Sequence, residues 1–99
     1  MADLTGKQRS HLRSLAHHLK PLLHVGKEGV TEASARSVEE ALNGRELLKV
    51  KVLDTAPDDP RSSADDLAGR IAGAHVVQVI GRTIVLYRQD PEKPKIKLP

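Results

Sequence analysis

Gly26, Lys27, Glu28 and Gly29 stand between the apolar run PLLHV and a segment, TEASARSVEEAL, whose apolar residues recur at helical spacing. In a strand, loop, helix arrangement the first amide N–H groups of the helix have no intrahelical partners. They point outward with partial positive charge, and a phosphate oxygen can accept from them. Glycine at both ends of the loop lets a phosphate come close to the backbone, because neither residue carries a side chain and either tolerates dihedrals closed to others. Lys27 adds a flexible cation, and Glu28 opposes it with a carboxylate where the anion would arrive. On pattern alone Gly-x-x-Gly is a tight turn, so its chemistry depends on its surroundings. The longer nucleoside-triphosphate pattern, GxxxxGK followed by Ser or Thr, does not occur.

The surroundings are basic. Arg9, Arg13, His17 and Lys20 are spaced four, four and three residues apart, which on one helix makes a continuous stripe of roughly 16 Å. Lys7 adds a further cation, and no acid occurs between Asp3 and Glu28. Like charges at that spacing destabilise a helix, so a stripe without compensating carboxylates points to a polyanion that supplies the compensation. A carboxylate placed in the loop by Gly29→Asp is accordingly expected to remove binding and leave the fold intact.

Composition narrows the partner. At 99 residues the chain is expected to form a single domain, with net charge +3 and a pI near 9.5. The charge is laid out in blocks: residues 1 to 30 and 82 to 99 each hold five bases against two acids, and residues 31 to 81 hold six bases against nine acids. There is no Phe or Trp and one Tyr, so a module that stacks bases on aromatic pairs would have nothing to stack on except Tyr87. There is no cysteine, hence no disulfide framework and no thiolate metal site. His17 and His18 are adjacent and point to different faces of a helix, and no paired His or Glu spacing supplies metal ligands. No nucleophile sits in an elbow motif. Neither a metal, a cofactor nor catalysis is expected, and no apolar stretch is long enough to span a membrane.

The elements that position these residues are legible in turn. Thr5 with Gln8 forms a capping box for a first helix that buries Leu4, Leu12, Leu15, Ala16 and Leu19 and stops near His18 or Leu19, ahead of Pro21. LLHV is a short strand. Thr31 caps a second helix through Leu42 that buries Val38, Ala41 and Leu42, with Gly44 past its end. ELLKVKVLD alternates as a half-buried strand, Leu48, Val50 and Val52 on one side and Lys49 and Lys51 on the other. TAPDDPRSS reads as a loop, and Ser63 as the cap of a third helix carrying Leu67, Ala68 and Ile71 and ending at Gly73. HVVQVI and TIVLYR, separated by Gly81 and Arg82, form a hairpin with Gly81 at positive φ. Strands joined through helices run parallel and a tight hairpin runs antiparallel. The fold class is therefore α/β: a two-layer arrangement of three helices on a four-stranded mixed sheet, in the order helix, strand, helix, strand, helix, strand, strand.

The stretches LTGKQRSHLRSLAHHLKPLLHVGKEGVTEA, ELLKVKV and VVQVIGRTIVLYR together resemble the YhbY-type CRM domain, the RNA-binding module of bacterial ribosome-associated proteins and plant organelle splicing factors. The resemblance implies a fold similar to the C-terminal domain of bacterial translation initiation factor three, association with precursors of the large ribosomal subunit, and RNA contact through the loop and its basic surroundings. Its loop residues carry over onto Gly26, Lys27 and Gly29. With Glu28 between them, and with Lys7, Arg9, Arg13, His17, Lys20 and the hairpin residue Arg82, they form the expected RNA-contacting set. The domain is expected to span residues 1–90 and to be followed by a basic extended tail, 91–99, that adds affinity without being needed for folding. A cytoplasmic monomer bound to ribosomal RNA is expected. The alternative is an adaptor that docks a basic ribosomal protein through the acidic middle region, Asp58, Asp59, Asp65 and Asp66.

Overall fold

A computed structural model describes residues 3–99. The elements are α1 (Gly6–Ala16), β1 (Pro21–Val25), α2 (Glu32–Leu42), β2 (Leu47–Val52), α3 (Pro60–Arg70), β3 (Ala74–Ile80) and β4 (Thr83–Arg88), in the expected order. They build one mixed sheet, β1-β2-β4-β3, in which β1 and β2 are parallel and β4 runs antiparallel to both of its neighbours. No helix among the described residues is long and apolar enough to cross a membrane.

Strand alternation divides the core in two. Leu48, Val50 and Val52 of β2 and Ile84 and Leu86 of β4 face α2 and α3, which contribute Val38, Leu42 and Leu67. Leu47, Val85 and Tyr87 point to the opposite face, where Leu12 and Ala16 of α1 cover them. The mixed sheet is as expected, but its layering is richer than two, because α1 takes the face that α2 and α3 leave open. Apolar residues at both parities of β4 require this: a strand with one wet face could not carry Ile84, Val85, Leu86 and Tyr87 in succession.

Local signals explain most boundaries. Thr5 Oγ1 accepts from Gln8 N and Gln8 Oε1 accepts from Thr5 N, both at 3.0 Å, closing the capping box. Thr31 and Ser34 make the corresponding exchange at α2, and Gly81 has φ +56° in the hairpin. Helix α1 ends at Ala16, earlier than expected, so Leu19 lies beyond it and is 38% exposed; Leu15, inside the helix, is 42% exposed instead of buried, off the side that carries Leu12 and Ala16 into the core. The third helix also differs from expectation. Asp59, not Ser63, is its cap, with Pro60 in the first turn, and Ser63 lies buried inside the helix. Proline breaks a helix interior but suits its first position, where the N–H it lacks would have no partner.

That cap carries a test. Asp59 Oδ1 accepts from Ser62 N at 2.7 Å, and this amide is the main cause that lowers the Asp59 pKa below 3.8. A lowered pKa means the folded state favours the carboxylate. Its contribution is complete above the unfolded value and lost as pH falls through the folded one. Asp59→Ala is expected to melt below the parent at neutral pH, with the gap closing in acid, as followed by circular dichroism.

The carboxyl-terminal residues are tied to the domain. Ile96 and Leu98 pack against the α1 cluster. Glu46, fully buried at φ +66°, accepts from Asp90 N at 2.7 Å, Lys95 N at 2.6 Å and Ile96 N at 2.8 Å.

Candidate functional site

The loop after β1 is a hydrogen-bonded turn: Gly29 N donates to Gly26 O at 2.9 Å. Its two glycines are not equivalent. Gly29 sits at φ +71°, and a Cβ there would lie 3.0 Å from Cγ of Pro57, whereas at Gly26 a Cβ would meet only Leu53 Cδ1 at 3.8 Å. One side of the turn is thus backed by the loop that leads into α3. Lys27 and Glu28 are exposed at its tip. The α2 cap already uses the Ser34 amide, and Glu32, in the first helical turn, is a second acid after Glu28 of the loop.

The basic residues are divided by the fold. Arg9 donates from Nη1 to Val76 O and, at 3.1 Å, to Val77 O. Those carbonyls lie at the irregularity in β3, where Val76 pairs with Leu86 and Gln78 with Val85, leaving Val77 as an extra residue. Arg82 donates from Nε to Val52 O at 2.8 Å and from Nη2 to Leu53 O at 2.8 Å, and meets Asp54 at 3.1 Å. Arg9 ties α1 to β3, and Arg82 ties the hairpin to the end of β2. Lys20 lies beyond the end of α1, so the expected four-residue stripe is broken there. It borders a cleft with Leu19, Leu22 and Arg45 instead. Lys7 is exposed near the start of α1.

Arg13 and His17 remain together. With Ser10, Ser14 and His18 they line an open cleft of about 550 Å³ whose other wall is the sheet, through Lys49, Gln78 and Ile80. None of its lining residues is acidic. Sequence reasoning missed Lys49 as a neighbour of Arg13, although alternation in LLKVKV had already placed it opposite the main core. The missing link was that α1 covers that same face only in part.

The acids of the middle region are largely used by the fold. Asp59 caps α3, Asp65 lies 3.8 Å from Arg61, and Asp66 meets Arg70 at 2.7 Å. Tyr87, the one aromatic residue, is wholly buried and stacks against His75 at 6.4 Å between ring centroids. Burial pushes the Tyr87 hydroxyl pKa up, with Glu46 contributing, and burial lowers that of His75. The surface therefore offers charge, hydroxyls, backbone and the exposed imidazole rings of His17, His18 and His24, with no exposed Phe, Tyr or Trp.

The CRS1 / YhbY (CRM) domain family model matches residues 4–88. The chain is 46% identical over 96 residues to the Bacillus subtilis protein named Probable RNA-binding protein YqeI, covering 97% of this chain and 99% of that one. It is 41% identical over 99 residues to a Haemophilus influenzae protein named RNA-binding protein, covering 100% and 98% respectively. The solution structure of the hypothetical protein SAV1595 from Staphylococcus aureus superposes with a TM-score of 0.81 at 42% identity, covering 98% of this chain and 100% of that one.

Proposed function

Because the chain belongs to the CRS1 / YhbY (CRM) domain family, we propose that it is an RNA-binding protein of large ribosomal subunit assembly, acting as a cytoplasmic monomer on the backbone of ribosomal RNA. The observation that carries this is the acid-free cleft in which Arg13 and His17 face Lys49, on the sheet whose first strand runs into the Gly-Lys-Glu-Gly loop. Lys27 approaches phosphate from the loop, Gly26 and Gly29 give it the close approach, and Arg13 and His17 continue the contact along α1. Lys7 and Lys20 add charge at the margins. Arg9 and Arg82 act by holding β3 and the hairpin in place. Phosphate contacts of this kind position a protein without reading sequence, and with Tyr87 buried no Phe, Tyr or Trp is exposed to stack on bases. The function is binding, not catalysis. The adaptor alternative loses ground because Asp59, Asp65 and Asp66 already serve α3.

Titration with large-subunit ribosomal RNA over a range of salt tests the proposal. Arg13→Gln is expected to weaken binding to all sequences about equally and to reduce the slope of log affinity against log salt by roughly 0.7 on single strands. A flat salt dependence of the parent would count against backbone binding. Retention on ribosomal particles that survives nuclease treatment would instead favour a protein partner.

A further inference from the structure

The face of the sheet that α1 covers is only half covered, and its uncovered half is basic. His24 pairs with Lys51, Lys51 with Thr83, and Thr83 with Ile80, so these side chains form one row across all four strands. Three strand spacings of about 4.8 Å make the row roughly 14 Å wide. The next row holds Lys49, Val85 and Gln78, and Val85 is in the core under α1, which fixes this face as the α1 side. His24 and Lys51 are exposed, and Ile80 is 53% exposed although apolar. No acid occupies either row, and among the described residues neither Lys49 nor Lys51 pairs with a carboxylate. Asp54, just past β2, is engaged by Arg82.

Resting on the function proposed above, we infer that this open half-face is a second RNA-contact surface, a track that carries one strand of backbone from the loop across the sheet to the cleft beside α1. His24 lies two residues before Gly26, so the row begins where the loop ends. Lys51 and Lys49 follow at about 7 Å along β2, and Lys49 already lines the cleft with Arg13 and His17. Two lysines leaving a half-buried strand on the same side, neither of them in an ion pair, repel one another unless an anion lies between or above them; Asp54, which shares a cleft with Lys51, is already paired with Arg82. Gln78 and Thr83 supply neutral hydrogen-bonding groups, and Ile80 supplies an apolar end for a sugar or base. The trough is bounded on one side by α1.

The test uses the full chain, a mixed-sequence RNA of about 16 nucleotides, and its duplex. With Lys7, Arg13, Lys20 and Lys27 alone making contact, the salt slope on the single strand would be about −3; adding Lys49 and Lys51 makes it about −4. The double variant K49Q/K51Q is expected to lose about tenfold in affinity near physiological salt and to return the slope to about −3. R36Q/R61Q, which removes the same charge from the α2 and α3 side, is expected to change affinity less than threefold. In the wild-type complex, RNA should also protect Lys49 and Lys51 from acetylation as read by mass spectrometry, a measurement independent of whether the double variant folds. Parent binding with unprotected lysines, equal losses in both double variants, or sensitivity confined to the duplex would each overturn the track while leaving RNA binding intact. A parent that binds neither RNA would overturn the proposed function and the track together.

Discussion

Glu46→Ala is expected to lower the unfolding free energy by about 3 kcal/mol and the melting temperature by about 15 °C. Its carboxylate accepts three amides from the segment after β4, at 2.6 to 2.8 Å, while its own N donates to Leu42 O at 2.9 Å and its O accepts from Arg88 N at 2.8 Å. Hydrogen bonds to a charged acceptor are the stronger ones, and the side chain is wholly buried, so water does not replace it without opening the structure. The residue also sits at φ +66°, in the left-handed region that non-glycine residues seldom adopt. A protein tolerates that backbone conformation when surrounding contacts compensate for it, and here they are the bonds to the tail.

The consequence reaches residues 91–99. Their amides end on Glu46, and Ile96 and Leu98 cover part of the α1 cluster, so cutting the chain after Asp90 removes partners from both. Glu46→Gln separates the contributions. An amide keeps one acceptor oxygen for Lys95 N and Ile96 N but presents a donor to Asp90 N, so its melting point should fall between parent and Glu46→Ala. Melting curves of the two variants equal to the parent's would show that the tail is held without Glu46, by the Ile96 and Leu98 contacts and by the bonds from Lys95 Nζ to Gly44 O and from Gln8 Nε2 to Pro99 O.

How far the sequence discloses this protein depends on whether the responsible interaction is local. The Thr5 and Thr31 caps, the alternation in β2 and the Gly81 turn each involve residues a few positions apart, and pattern shows them directly. Asp59-Pro60 was equally local, yet proline's two roles, breaking a helix and starting one, look alike until the helix is placed. Glu46 was illegible for a different reason: nothing near it hints that its partners lie 44 to 50 residues away. The candidate site divides in the same way. Spacing put Arg9 beside Arg13, but the bulge in β3, which occupies Arg9, exists only once β3 and β4 have paired. Lys49 stands beside Arg13 only because α1 folds back over β2.

Gly26→Asp is expected to weaken RNA binding at least tenfold, or about 1.4 kcal/mol, with the melting temperature near that of the parent. The new Cβ meets only the Leu53 methyl at ordinary contact distance, so the fold accommodates it. The carboxylate would stand at the end of β1 where backbone and phosphate must come close, and like charge there repels the ligand directly. Gly29→Asp, the more obvious variant, is no longer expected to leave the fold intact. At φ +71° any L side chain is strained by roughly 1 to 2 kcal/mol, and its Cβ would press on the Pro57 ring at 3.0 Å. Gly29→Asn, which tolerates the left-handed conformation best among non-glycine residues and adds no charge, isolates that strain. It should lose stability while keeping more affinity per folded molecule than Gly26→Asp. Circular dichroism and an RNA titration on the same samples decide between them. If Gly26→Asp melts like the parent and binds like it too, the loop is a turn that shapes the end of β1, and the phosphate contacts lie wholly on α1 and the sheet.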